Sequence, residues 1–223
     1  MQGPVDGDVK RSSRISPSIA ATLPRHLYSV ASMRRSDWVP PIVWMAAILA
    51  LSTDAGSAEH TGGFVLPALR FIWPTATLPL LESIHAVVRK LAHVTEYAVL
   101  GSLWYRAFAV GRRPPRIAVA LAFGLSVAWA GVDEAFQMLV PSRTPSILDV
   151  GIDAAGALIA CIGAVDRPRL VDVMTSALLW AATVVGSVAL VLNAVTGDGS
   201  GGLWVTTSAA ALAVVARRRG TTG

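Results

Sequence analysis

Apolar residues dominate six stretches of this chain, 38–53, 91–110, 117–139, 148–165, 175–195 and 203–216, with polar residues gathered between them. Stretches of this kind predict membrane-crossing helices, because hydrocarbon offers no partner to an unpaired backbone group. The first and last are short. Between the first two, residues 54–90 carry Phe64, Leu69, Phe71, Ile72 and Trp73, broken by Pro74 and Pro79. That pattern predicts a segment lying in the membrane interface or dipping partly into the bilayer. Residues 80–89 have helical character, so the second helix is expected to begin outside the membrane and enter it without a break.

The interruptions of the apolar pattern are as informative as the pattern. An ionisable group in hydrocarbon costs about 3 kcal/mol unless it is paired or wetted, so several at one depth point to use. On the second helix Lys90, His93 and Tyr97 recur at i, i+3 and i+7, with Glu96 bordering the same face. On the third, Asp133 and Gln137 share a face and Glu134 lies one step around; on the fourth, Asp149, Asp153 and Gly156 follow at i, i+4 and i+7. A glycine there lets another helix come close. The connector Pro141-Ser142-Arg143-Thr144-Pro145 is stiffened by its prolines and presents Arg143 between helix ends. Three helices are thus expected to converge on one outward-facing pocket.

Composition agrees with this class. Apolar residues make up 53% of 223 and charged residues only 15%, against roughly 25% charge in an ordinary soluble domain. The expected fold is an all-α polytopic transmembrane bundle of about six spans with a disordered N-terminal tail. Residues 1–37 form that tail, rich in Ser, Pro and Arg; 38–165 form the main transmembrane domain; 166–223 add two further helices and a short C-terminus. A translation start at Met33 would make residues 1–32 a gene-model extension, and a cleaved signal peptide ending near Gly56-Ser57-Ala58 is the rival reading.

The net charge of +5 does not indicate nucleic acid, because the basic residues mark the ends of apolar stretches rather than one stripe interleaved with aromatics. They read as topology signals. Fifteen of the 19 Lys and Arg residues fall on one side of the predicted spans, which puts both termini in the cytoplasm of a bacterial cell. Arg70, Arg89, Lys90 and Arg143 fall on the other. Trp38, Trp104, Tyr105 and Trp204 stand near span ends as interfacial anchors. The single cysteine, Cys161, lies in an apolar stretch and reads as packing.

Other chemistries find little support. The glycine-rich segment 197–202 lacks a Walker lysine, Ser142 lacks the setting of a nucleophile elbow, and no internal repeat suggests a transporter. His93 with Glu96, Asp133, Glu134 and Asp149 could hold a divalent cation, but Lys90 and Arg143 would repel it, and the reading adopted includes no metal and no cofactor. His26 belongs to the tail, and His60 and His85 read as solvated unless the outer helix folds back.

The ordered set Lys90-x2-His93-x3-Tyr97-x2-Leu100, Asp133-Glu134-x2-Gln137, Arg143-x5-Asp149 and Gly156 resembles the signature of VanZ-like membrane proteins over residues 83–161, with a matching first span upstream. One position departs from it: Asp153 stands where the family usually has asparagine, so a side-chain amide is replaced by a carboxylate that needs a proton or a cation. The resemblance implies a cell-envelope setting and low-level resistance to the glycopeptide teicoplanin. It implies no particular reaction.

Three readings stay open. In the first, Lys90, Tyr97, Gln137, Arg143, Asp149 and Asp153 contact a lipid-linked envelope precursor or peptidoglycan-related ligand, arginine suiting phosphate oxygens; the partners are membrane lipids and such a precursor or glycopeptide target. In the second, His93 is the general base of a phosphoester or pyrophosphate hydrolase or transferase, with Asp133 or Glu134 orienting it or acting as acid. In the third, the cluster is purely structural: Asp133, Glu134 and Asp149 neutralise Arg143, Lys90 and Arg89 and hold the helices in register within a larger envelope machine.

Overall fold

A computed structural model describes residues 35–53, 57–110, 113–196 and 203–221. The tail with His26, the glycine-rich segment and the signal-peptide site at Gly56 lie outside the described residues. Among the described residues seven helices follow in chain order: α1 Arg35–Leu51, α2 Ala58–Ile72, α3 Leu78–Val110, α4 Pro115–Gln137, α5 Ile147–Asp166, α6 Pro168–Thr196 and α7 Leu203–Thr221. Among the described residues there is no strand, and the expected all-helical class holds.

Three helical stretches, Pro115–Gln137, Ile147–Asp166 and Pro168–Val188, are long and apolar enough to cross a membrane. Six spans is therefore a little high by this measure. The reason differs from helix to helix: Asp37–Leu51 and Leu203–Arg217 are apolar but short, whereas α3 has 33 residues and interrupts its apolar run with Lys90, His93, Glu96 and Arg106. Lipid-facing surfaces are visible on the longer ones. Ile117, Leu125 and Val132 on α4, Ile159 and Ile162 on α5, and Val173, Val184, Val185 and Val191 on α6 are all exposed, which water would penalise and acyl chains would not. This is a membrane protein.

The long helix α3 organises the bundle. It packs against α1, α2, α4, α5 and α6, while α7 lies between α6 and α1 and so brings the last two helices back to the first. Helix α3 does run unbroken from Leu78, as the helical character of residues 80–89 predicts. At the seam between α3 and α5 the two backbones come close. A side-chain carbon on Gly156 would collide with the backbone carbonyl of Val94, and one on Gly101 would stand 2.9 Å from the carbonyl oxygen of Ala157. Only the absence of a Cβ allows such an approach, and the two glycines fix α3 and α5 side by side in parallel. Cys161, buried on this seam, points its thiol at the Gly101 carbonyl at 3.6 Å.

Two local features differ from expectation. Trp104 is only 4% exposed and is core rather than an interfacial anchor, because its ring stacks on Phe108 and meets Trp38 edge-on at 5.5 Å. Trp204, 61% exposed, faces outward as expected. His85 is not solvated: it is buried where α2 folds back on α3, with its Nε2 3.1 Å from the Thr61 hydroxyl. That hydroxyl already donates to the Ser57 carbonyl, so it accepts from His85, which places the ring proton on Nε2.

Candidate functional site

The polar residues predicted to converge do so, at the end of the bundle where α3 enters, α4 ends and α5 begins. The parallel α3–α5 seam sets the pairing. Lys90 forms an ion pair with Asp149, and one turn further in His93 Nδ1 lies 3.2 Å from Asp153 Oδ1. Asp149 and Asp153 are four apart on α5, Lys90 and His93 three apart on α3, so both pairs form when the two helices touch. The carboxylate in reach of His93 is thus Asp153.

Asp133 occupies the centre of the end. It is 2% exposed and receives the Ser52 hydroxyl on Oδ1, with Tyr97 OH and Gln137 Nε2 each 3.4 Å from Oδ2. Ser52 belongs to the turn that closes α1. A serine after an apolar stretch has no periodicity to mark it, and sequence reasoning therefore missed it. Tyr97 itself has no exposed surface.

Glu134 and Arg143 both bond to backbone groups. The Glu134 carboxylate accepts the backbone N–H of Ser146, whose hydroxyl in turn accepts from Leu148 N at 3.2 Å and caps α5. An acid beside a helix N-terminus is favoured by the unpaired N–H groups there. Arg143 donates to the Leu51 carbonyl and, through Nε, to the carbonyls of Ser52 and Thr53 at 3.2 Å each. These are the carbonyls that the end of α1 leaves without helical partners, and a guanidinium fork suits them. Connector and first helix are locked together.

Between these groups lies a cavity of about 320 Å³ whose lining includes Arg89, Lys90, His93, Ser142, Arg143 and Asp149. Two of its donors have no partner among the described residues. The Arg89 guanidinium makes no hydrogen bond or ion pair, and the Ser142 hydroxyl is buried without one. Gln137 also reaches the wall. Glu96, deeper on α3, keeps its carboxylate free of hydrogen bonds among the described residues, while its backbone carbonyl accepts from the Trp44 indole at 2.9 Å. No three His, Cys, Asp or Glu side chains are grouped to hold a metal ion among the described residues.

A second polar group sits at the opposite end of the bundle and was not foreseen. Arg106 on α3 and Arg217 on α7 both donate to Asp172 on α6, each at 3.0 Å. In the sequence these arginines read only as charge flanking apolar stretches, since nothing in linear spacing joins residues 66 and 45 positions from their partner.

Comparison with known proteins places the first of these groups, and not all of the second, inside a shared pattern. No curated protein and no solved structure matches the chain. A sequence profile described as VanZ/LLP1 matches residues 38–166, which is more than half of the chain and takes in α1 to α5 with every residue around the cavity. The chain belongs to the VanZ/LLP1 family.

Proposed function

We propose that the cavity between α3, α4 and α5 binds the anionic head group of a lipid-linked or peptidoglycan-related envelope molecule, and that it opens to the outer leaflet of a bacterial cytoplasmic membrane with both termini inside. One observation carries the reading: a roomy polar cavity is lined by the Arg89 guanidinium and the buried Ser142 hydroxyl, neither of which has a partner among the described residues. A buried hydroxyl without a partner is expensive, and a phosphate or pyrophosphate would satisfy it together with the half-buried guanidinium. Lys90 and Arg143 add positive charge, while Asp149 and Gln137 could receive hydroxyl or amine groups of a sugar or peptide. The asymmetry of Lys and Arg along the chain supports the orientation. A role in susceptibility to teicoplanin, or to other agents that act on envelope precursors, accords with family membership.

The test is the lipid that leaves the membrane with the protein. Wild type, Arg89→Gln and Ser142→Ala are purified in parallel and their bound lipids compared by mass spectrometry. A head-group class enriched in the wild type and depleted in both variants is the expected result. Identical lipid profiles would remove the reading, and a reporter fusion that places Ser142 in the cytosol would remove its orientation.

A hydrolytic or transferase reading has its own support, since His93 lines the cavity with Nδ1 turned to Asp153. A carboxylate on one ring nitrogen holds the imidazole so that the other can take a proton. If the site turns over a phosphoester, His93→Ala loses its phenotype with unchanged protein level and accumulates bound, uncleaved lipid. Retained phenotype in His93→Ala excludes it.

A further inference from the structure

The group at the far end of α3 has features that an ion pair alone does not need. Lys90 and Arg106 are sixteen residues apart, about 24 Å along the axis of one helix, so this group and the first cavity lie at opposite ends of the bundle. A second cavity of about 390 Å³ opens here between α3, α6 and α7. Its polar wall is Arg106, Asp172, Ser176 and Arg217; Leu179 and Val214 form its apolar side.

The charges do not balance. Two guanidinium groups converge on a single oxygen, Asp172 Oδ1, and Asp172 is half exposed while Arg217 is only 8% exposed. One nitrogen of Arg217 makes all of that residue's contacts, to Asp172 Oδ1 at 3.0 Å and to the Asp172 carbonyl and Ser176 hydroxyl at 3.3 Å each. Its Nε and other terminal nitrogen have no hydrogen bond among the described residues. A guanidinium carries five N–H donors in a planar fork, and one withdrawn from solvent beside a second cation calls for a further anion. Apolar walls next to that fork match a molecule whose charge adjoins a hydrocarbon tail.

We propose that this cavity is an anion site that takes a phosphate group, the apolar wall selecting the phosphate of a membrane lipid head group over a free ion. Arg106 and Arg217 would each present a face of the guanidinium to the phosphate oxygens, which would compete with the Asp172 carboxylate for the same two arginines. Asp172 and Arg217 lie beyond the family-matched residues, so the site needs the last two helices as well as α3 and does not rest on the function proposed for the first cavity.

The experiment uses the full chain in uncharged detergent, with binding of phosphatidylglycerol read by native mass spectrometry and inorganic phosphate added as competitor. Wild type is expected to retain the lipid, Arg217→Gln to bind it about tenfold more weakly, as loss of one charge-assisted hydrogen bond implies, and Asp172→Asn to bind at least as well as wild type. Competition by millimolar phosphate identifies a free-anion site; no competition identifies a lipid site. The proposal is overturned if Arg106→Gln/Arg217→Gln binds phosphatidylglycerol like wild type. It is equally overturned if Asp172→Asn abolishes binding, since the cluster is then only an ion pair. Should Arg217→Gln fail to fold, the Asp172→Asn arm alone decides between these outcomes.

Discussion

The two ends of α3 use the same residue types to opposite effect. At the Arg143 end, carboxylates outnumber cations, and much of the bonding goes to helix ends: Arg143 closes α1, Glu134 opens α5, and Asp133 collects a serine, a tyrosine and a glutamine. At the Arg217 end, two cations share one oxygen and guanidinium donors are left over. The difference teaches that charge near a membrane has two structural uses. One, dominant around Arg143 and Glu134, fastens helices whose termini would otherwise be unsatisfied; the other, around Arg217, gathers two cations on one carboxylate oxygen and leaves guanidinium donors without a partner among the described residues.

The sharpest way to break this contrast is at Arg143. Arg143→Ala should cost about 3 kcal/mol, since it removes charge-assisted bonds to backbone carbonyls that no other side chain reaches among the described residues, and should be seen as a lower melting temperature in detergent with loss of the α1 contact. If Arg143→Ala melts like wild type, the fastening role is wrong. Next in size is Gly156→Ala, which sets a methyl group against the Val94 carbonyl; about 2 kcal/mol of destabilisation is expected from overpacking, and the Lys90–Asp149 and His93–Asp153 pairs should suffer because they form across the same seam.

Smaller effects sharpen the comparison further. Lys90 is half exposed, so solvent screens its pair with Asp149, and Lys90→Gln should cost only about 0.5 kcal/mol of stability while still weakening ligand retention in the first cavity. A large stability loss with unchanged lipid content would turn that pair into scaffold. The smallest effect concerns His85, outside the spans. Burial, and then the charge of Arg89, lower its pKa below the usual histidine value of 6.5. A lowered folded value means the stabilisation is complete above about pH 6.5 and is lost as pH falls through the lower, folded value. Hydrogen exchange of α2 should therefore rise in mildly acidic buffer in wild type and not in His85→Gln.

Much of the first end could be read from spacing. Lys90, His93 and Tyr97 on one helix, Asp133 and Gln137 on another, and Asp149 and Asp153 on a third each obey helical periodicity, so each face was visible before any packing was known. Which groups would meet was not. Asp133 or Glu134 was the expected partner of His93, where the structure gives Asp153; the bonds of Arg143 to the carbonyls of α1 were not expected at all. Ser52 and the Arg106–Asp172–Arg217 group stayed hidden for the same reason, since each depends on helices distant in sequence coming into contact.

The sequence by itself determined the all-helical membrane class, the family signature and the faces on which polar side chains stand, because apolar length and helical period are local properties of the chain. The tertiary structure alone decided the pairings, the two cavities and the status of Trp104 and His85. Those follow from how closely two backbones approach at Gly156 and Gly101, and from which helix end an arginine fork can reach; both are distances between segments that no linear spacing encodes.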